Sequence, residues 1–145
     1  MDPSGATARG DHAFVYGTLR RGFPLHRLLA GRAELVGLGT VPARLVDLGA
    51  YPAAVPDAHG VVVGEVYRLT DAGLWRGLDS AEGPQYHRDK VTVRMADDRE
   101  ITAFIYWYMG PLDRGVPIPG GDYRAHAPAR SIHRRSLHRG GDDAA

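Results

Sequence analysis

Apolar and polar positions alternate most cleanly between Val61 and Leu69, where Val61, Val63, Tyr67 and Leu69 share one side of a period of two with Glu65. That pattern predicts a strand and places a carboxylate on its apolar face. A buried carboxylate is costly unless it is paired or hydrogen-bonded. Glu65 is therefore expected either to meet an arginine or a backbone group, or to serve as an acid or base. Alternation returns from Tyr86 to Met95, with Val91, Val93 and Met95 opposite Lys90, Thr92 and Arg94. Ile101 to Met109 carries aromatics at alternate positions, and the Ala96-Asp97-Asp98-Arg99 stretch between these runs predicts a hairpin turn. Ala33 to Leu48 is rich in Val and Leu but interrupted by Gly37, Gly39 and Pro42. It reads as two short strands, or one strand broken by a bulge.

Helical spacing is rarer. Leu74 and Leu78 lie one turn apart with Trp75 beside them, which predicts a short helix capped by Thr70, with Asp71 in its first turn. Gly83-Pro84 must end it. Near the start, Phe14-Val15-Tyr16 reads as a buried strand, Gly17 breaks it, and Leu25, Leu28 and Leu29 follow Pro24 at helical spacing. A strand, a glycine loop and a helix in that order can aim backbone N–H groups at an anion. The same pattern also suits a plain connection whose glycine serves only the turn. Gly49 to Ala53 predicts a turn leading into an extended piece, and Asp57 to Gly60 another turn. Beyond Gly110 periodicity is lost, although Tyr123 is expected to pack back after the Gly120-Gly121 turn.

Composition narrows the classes. The chain of 145 residues reads as one folded domain, residues 13–125, between a flexible leader (1–12) and a basic, flexible tail (126–145). A net charge of only +1 argues against nucleic acid as a partner of the whole chain. Arg130, Arg134, Arg135 and Arg139 make the tail a solvated end or a weak polyanion-binding arm. The absence of cysteine removes disulfides, thiolate nucleophiles and cysteine metal sites, and fits a cytoplasmic protein. No apolar run approaches the ~20 residues of a membrane-spanning helix. His126, His133 and His138 have no carboxylates at ligand spacing, so no metal is expected there. There is no Gly-x-Ser-x-Gly elbow, His-Glu-x-x-His helix or phosphate-loop Gly-Lys-Ser/Thr.

A second chemical locus spans Leu78-Asp79-Ser80-Ala81-Glu82-Gly83-Pro84-Gln85-Tyr86-His87-Arg88. A glutamate sits at the predicted helix end, beside a glycine turn and ahead of an aromatic. Alone, Glu82 reads as an exposed loop carboxylate. Taken in order, Val15-Tyr16-Gly17-Thr18-Leu19-Arg20-Arg21-Gly22, Tyr51-Pro52-Ala53, Gly64-Glu65-Val66-Tyr67, Leu78-Asp79, Glu82-Gly83 and Tyr86-His87-Arg88 resemble the γ-glutamylcyclotransferase-like family. The resemblance covers residues 13 to about 109 and is nearer to the γ-glutamylamine cyclotransferase and AIG2-like branch. Gly121-Asp122-Tyr123 is a weaker echo.

The resemblance implies an α+β fold: a small, mixed, strongly curved β-sheet or barrel with a few short helices. It implies a transferase- or lyase-class enzyme that cleaves a C–N bond by ring closure, an amidine-type reaction. The α-amine of a γ-glutamyl amine or amide attacks its own γ-carbonyl, 5-oxoproline closes, and the free amine leaves. Glu82 would be the catalytic base, its pKa raised by burial against Trp75, Tyr86 and the loop. Tyr16, Gly17, Thr18, Leu19, Tyr51 and Tyr86 would bind the substrate, with Glu65 in reserve as the base. No cofactor, metal or membrane is implied; the partner is a small γ-glutamyl molecule, and the protein a monomer or homodimer. The alternative is a non-catalytic protein that binds a small carboxylate or γ-glutamyl peptide on the same fold.

Overall fold

The computed structural model describes residues 11–126; the remainder of the expected leader and tail, including His133, His138 and the tail arginines, lies outside them. In chain order the strands are β1 (His12–Val15), β2 (Ala33–Val41), β3 (Ala43–Asp47), β4 (Pro52–Pro56), β5 (Val62–Leu69), β6 (Tyr86–Met95), β7 (Glu100–Tyr108) and β8 (Val116–Pro117). The helix α1 (Leu74–Glu82) joins β5 to β6, and a 3₁₀ helix covers Pro24–Leu28 between β1 and β2. Five strands close into a barrel in the order β1-β5-β2-β6-β7. Antiparallel ladders make four of its seams, and β1 closes it by lying parallel to β7 at Ala13 and Phe104. A smaller sheet runs β4-β3-β8. The mixed barrel with few short helices is the α+β architecture expected.

Closure explains why β5 departs from a one-faced strand. Val62 and Val66 join Phe14, Val93 and Ile105 in one core cluster, while Tyr67 and Leu69 pack with Leu74, Trp75 and Leu78 in another. Both faces of β5 are thus covered, and Val61 falls outside the strand at 55% exposure. Gly64 is required here, because a Cβ would stand 2.6 Å from the Phe14 ring. Both readings of Ala33–Leu48 hold at once. The register of β2 against β5 shifts between Leu35 and Gly37, and β2 and β3 are distinct strands.

The helix start differs from the sequence expectation. Gly73, not Thr70, is the N-cap residue, and Thr70 instead donates its N–H to the Arg32 carbonyl at 3.0 Å. The Asp71 carboxylate accepts from the Gly73 N–H at 2.9 Å, and the Asp71 carbonyl from Leu74 N–H at 3.0 Å, so the first turn forms after Asp71. Arg32 fixes that carboxylate through two hydrogen bonds. At the far end Gly83 has φ 89° and donates to the Asp79 carbonyl, which leaves Glu82 as the last helical residue.

Both outer boundaries also differ: His126, expected in the flexible tail, has its Nε2 2.8 Å from Asp47 Oδ2. Asp11 and His12, expected in the leader, are held: Asp11 accepts from the Trp75 indole N–H at 3.0 Å, and His12 opens β1. After Gly110, β8 pairs with β3, an interaction of two residues too short to leave a periodic pattern. Tyr123 does pack back, at 5% exposure. No helix among the described residues is long and apolar enough to cross a membrane.

Candidate functional site

A cavity of about 290 Å³ opens where the β1 loop, the turn before β4, the end of α1 and the start of β6 converge. Its lining includes Tyr16, Gly17, Thr18, Leu19, Tyr51, Tyr86 and Glu82, all seven candidate positions from the sequence. Glu65 is not part of the lining.

The first wall follows from the end of β1. Gly17 meets Pro52 so closely that a Cβ would lie 2.5 Å from the Pro52 Cγ. Close approach, rather than a left-handed φ, is therefore the reason for glycine here. The chain then turns, with Arg20 N–H donating to the Gly17 carbonyl at 2.9 Å and Leu25 N–H to the Thr18 carbonyl at 3.0 Å. The N–H groups of Gly17, Thr18 and Leu19 have no backbone carbonyl partner among the described residues. Gly17 and Leu19 are buried. Buried N–H groups without partners are rare, and such donors are suited to an anion.

Tyrosines make most of the opposite surface. Tyr16 donates its hydroxyl to the Tyr106 carbonyl at 2.6 Å, and Tyr86 to the Pro52 carbonyl at 2.9 Å. Tyr106 donates to the Asp79 carboxylate at 2.6 Å. Tyr51, 39% exposed, forms the rim and meets Tyr86 edge-on at 6.0 Å between ring centroids. Burial, and after it neighbouring charge, pushes the Tyr16 and Tyr86 hydroxyls well above their ordinary range, so they remain neutral donors.

Glu82 reaches this cavity from the last turn of α1. Among the described residues its carboxyl makes no hydrogen bond and no ion pair. Burial alone pushes it from 4.5 up to about 7. Trp75 is not part of the lining, contrary to the sequence expectation. Its indole packs edge-on against Phe104 and lies under the Arg88 guanidinium, because it projects to the outer core cluster. Tyr106 takes the place expected of it in the wall. Its position was visible in the alternating aromatics of β7, but only barrel closure sets that strand beside α1.

Glu65 has the contrary environment. Its Oε1 accepts from Arg21 N–H and from the Tyr67 hydroxyl, each at 2.9 Å. Its Oε2 accepts from Arg20 Nε at 3.3 Å and from Arg124 Nη2 at 3.2 Å. Burial pushes this carboxyl up, but the Arg21 N–H, the Tyr67 hydroxyl and Arg20 outweigh it, and the net shift is downward. A carboxylate with four donors has no lone pair aimed at a substrate. Among the described residues, no group of three or more His, Asp or Glu side chains is placed to hold a metal ion.

A family model described as γ-glutamyl cyclotransferase, AIG2-like, matches residues 13–125. A Methanocaldococcus jannaschii protein named as a candidate γ-glutamylcyclotransferase is 32% identical over 118 residues, covering 79% of this chain and 96% of its own length. Rat γ-glutamylaminecyclotransferase is 31% identical over 100 residues, covering 59% of this chain and 65% of its own length. The solved structure of a mouse AIG2-like protein superposes with a TM-score of 0.70 at 23% identity, covering 84% of this chain and 93% of the mouse chain. That last similarity establishes the fold.

Proposed function

The chain belongs to the AIG2-like γ-glutamyl cyclotransferase family, and from that premise we propose that it cyclises a small γ-glutamyl amine or amide to 5-oxoproline. The observation that carries the reading is the Glu82 carboxyl, which lines the cavity, has no hydrogen-bond or ion-pair partner among the described residues and is raised by burial to about 7. A base works best when its pKa lies near the operating pH. In the reaction the ionised Glu82 takes a proton from the substrate α-ammonium. The freed amine attacks the γ-carbonyl, forming the new C–N bond and a tetrahedral oxyanion. Collapse of that intermediate breaks the original amide C–N bond, and the proton held by Glu82 passes to the leaving amine. One carboxyl acts as base and then as acid. The ring nitrogen still carries a second surplus proton, which takes the same route through Glu82, so that the amine departs as an ammonium ion, Glu82 ends ionised, and the proton count closes within the substrate and one carboxyl.

The N–H groups of Gly17, Thr18 and Leu19 hold the substrate carboxylate or the oxyanion, a role in which one donor is worth about 2.7–4 kcal/mol. Tyr16, Tyr51 and Tyr86 enclose the γ-glutamyl chain in a bent conformation ready for closure. The volume of about 290 Å³ lies just below the ~300–1,000 Å³ typical of ligand sites and suits a group the size of the γ-glutamyl chain as the enclosed part of the substrate. The test is incubation with a panel of γ-glutamyl amines, γ-glutamyl amino acids and γ-glutamyl-lysine isopeptides while 5-oxoproline is followed. Release of 5-oxoproline from at least one of them is expected. Retention of a γ-glutamyl compound with no turnover across the panel would make the chain a binding protein instead.

A further inference from the structure

Two sides of the cavity, the Gly17–Leu19 loop and the turn with Ala50 and Tyr51, come from loops, and one short stretch far along the chain touches the supports of both. We propose that Asp122–His126 is a brace that ties the Gly17–Leu19 loop to the turn carrying Ala50 and Tyr51, and thereby sets how tightly the cavity holds its substrate. The identification of that substrate rests on the γ-glutamyl reading above.

At the first wall, Arg20 is only 3% exposed and its guanidinium is shared between Glu65 Oε2 at 3.3 Å and Asp122 Oδ1 at 2.9 Å. Arg124 donates to Glu65 Oε2 at 3.2 Å and also to the Arg21 carbonyl. Its guanidinium lies 5.2 Å from the Phe23 ring centroid, and the Tyr123 ring lies 5.3 Å from the same centroid. Arg20, Arg21 and Phe23 are the residues that follow the Gly17–Leu19 loop. Fixing them fixes the direction in which those groups point.

At the second wall, His126 Nε2 lies 2.8 Å from Asp47 Oδ2. The other oxygen, Asp47 Oδ1, accepts from Gly49 N–H at 2.7 Å, and the Leu48 N–H reaches the Tyr51 carbonyl at 3.0 Å. Asp47 thus shapes the turn that presents Ala50 and Tyr51, and His126 holds Asp47. The brace is itself anchored. Val63 N–H donates to the Gly121 carbonyl at 2.8 Å, and Gly121 has φ 67° with no room for a Cβ against the Val61 carbonyl. Asp122 Oδ1 also accepts from Arg124 N–H at 3.0 Å, which stiffens the segment internally.

Arg124 and His126 are positioning residues, since neither lines the cavity. In the full chain, Arg124→Ala is expected to raise KM for a γ-glutamyl substrate about tenfold while kcat changes less than about threefold. The ascending limb of kcat/KM against pH should stay where the parent's lies, because Glu82 is untouched. Arg124→Lys keeps a cation beside Glu65 and should recover much of the KM change; His126→Ala should reproduce it from the other wall. Amide hydrogen exchange gives a readout that does not need turnover. In both alanine variants, exchange at Arg20, Arg21, Leu48 and Gly49, whose N–H groups are hydrogen-bonded in the two loops, should accelerate about tenfold with β6 and β7 unchanged. Loop exchange equal to the parent's, or acceleration spread evenly over the barrel, overturns the brace. Absence of turnover in the parent chain would defeat the γ-glutamyl reading, and the exchange data would still decide the brace.

Discussion

Glu65 is buried and Glu82 half-buried, and their carboxyls move in opposite directions. Burial pushes each upward. At Glu65 the Arg21 N–H, the Tyr67 hydroxyl and Arg20 reverse that push, and among the described residues no donor opposes it at Glu82. The partners decide the direction. Glu65 lies in the middle of a barrel strand, where Tyr67 and the chain ends of residues 20–21 and 124 converge. Glu82 ends a helix at Gly83, where the chain turns away and leaves the carboxyl facing a cavity. Saturated, the first holds the loop; facing the cavity with no donor among the described residues, the second can exchange a proton.

The largest expected effect comes from removing the titrating group. Glu82→Gln should lower kcat/KM for 5-oxoproline release by about 10²–10⁴-fold, the range for a positioned general base. The same substitution should raise stability at alkaline pH. Because the folded pKa of about 7 lies above the ordinary 4.5, the folded state holds the extra proton between those values, and stability falls as pH rises through that window. Above pH ~7 the cost is fully present, at most roughly 3 kcal/mol, and below pH ~4.5 it is absent. Denaturant titrations at pH 5 and pH 8 should therefore show Glu82→Gln gaining on the parent only at the higher pH. A variant that keeps full activity would remove Glu82 from the chemistry.

Glu65→Gln should act mainly on stability. The substitution leaves an acceptor for Arg21 N–H but takes the anion away from buried Arg20, which keeps Asp122 alone as its charged partner. Breaking a buried pair from one side costs about 3–5 kcal/mol, measurable as a shift in the denaturant midpoint. Here the linkage has the other sign. The depressed Glu65 pKa contributes stability that is present above the ordinary value of 4.5 and lost as pH falls through the folded value. If Glu65→Gln remained fully stable but lost turnover, the two carboxylates would have to exchange roles.

The sequence carried much of this contrast and missed its geometry for specific reasons. Strand, glycine loop and helix are local patterns, so Tyr16–Leu19 and the helix end at Glu82 were readable one by one. Glu65 stood out because it broke an apolar face. Its donors did not, because Arg20 and Arg124 approach it from segments with no periodic link to β5. The single β1–β7 pair that closes the barrel, and with it the place of Tyr106 in the cavity wall, is a contact between distant parts of the chain. Trp75 and Thr70 failed for a related reason. Helical spacing gives an apolar stripe but not which of two cores it meets, and Asp71 satisfied the helix start that Thr70 could have served.

The smallest effects set two tyrosines against each other, one beside each glutamate. Tyr67 and Tyr86 each donate a hydrogen bond of 2.9 Å, the first to the Glu65 carboxylate and the second to the neutral Pro52 carbonyl. A bond to a charged acceptor contributes about 1.5–3 kcal/mol and a neutral one about 0.5–1.5 kcal/mol. Tyr67→Phe should therefore cost more stability than Tyr86→Phe, although both remove one oxygen. Their effects on titration should differ more sharply. Losing the Tyr67 hydroxyl removes one of the bonds that depress Glu65, so that carboxyl should titrate higher. Losing the Tyr86 hydroxyl leaves the ring in the cavity wall, and burial is the cause of the Glu82 shift, so its midpoint should stay near 7. Carboxyl carbon NMR against pH reads both values in each variant. A Glu82 midpoint that dropped by a full pH unit or more in Tyr86→Phe would mean that a hydroxyl, and not the loss of water, holds the proton on Glu82.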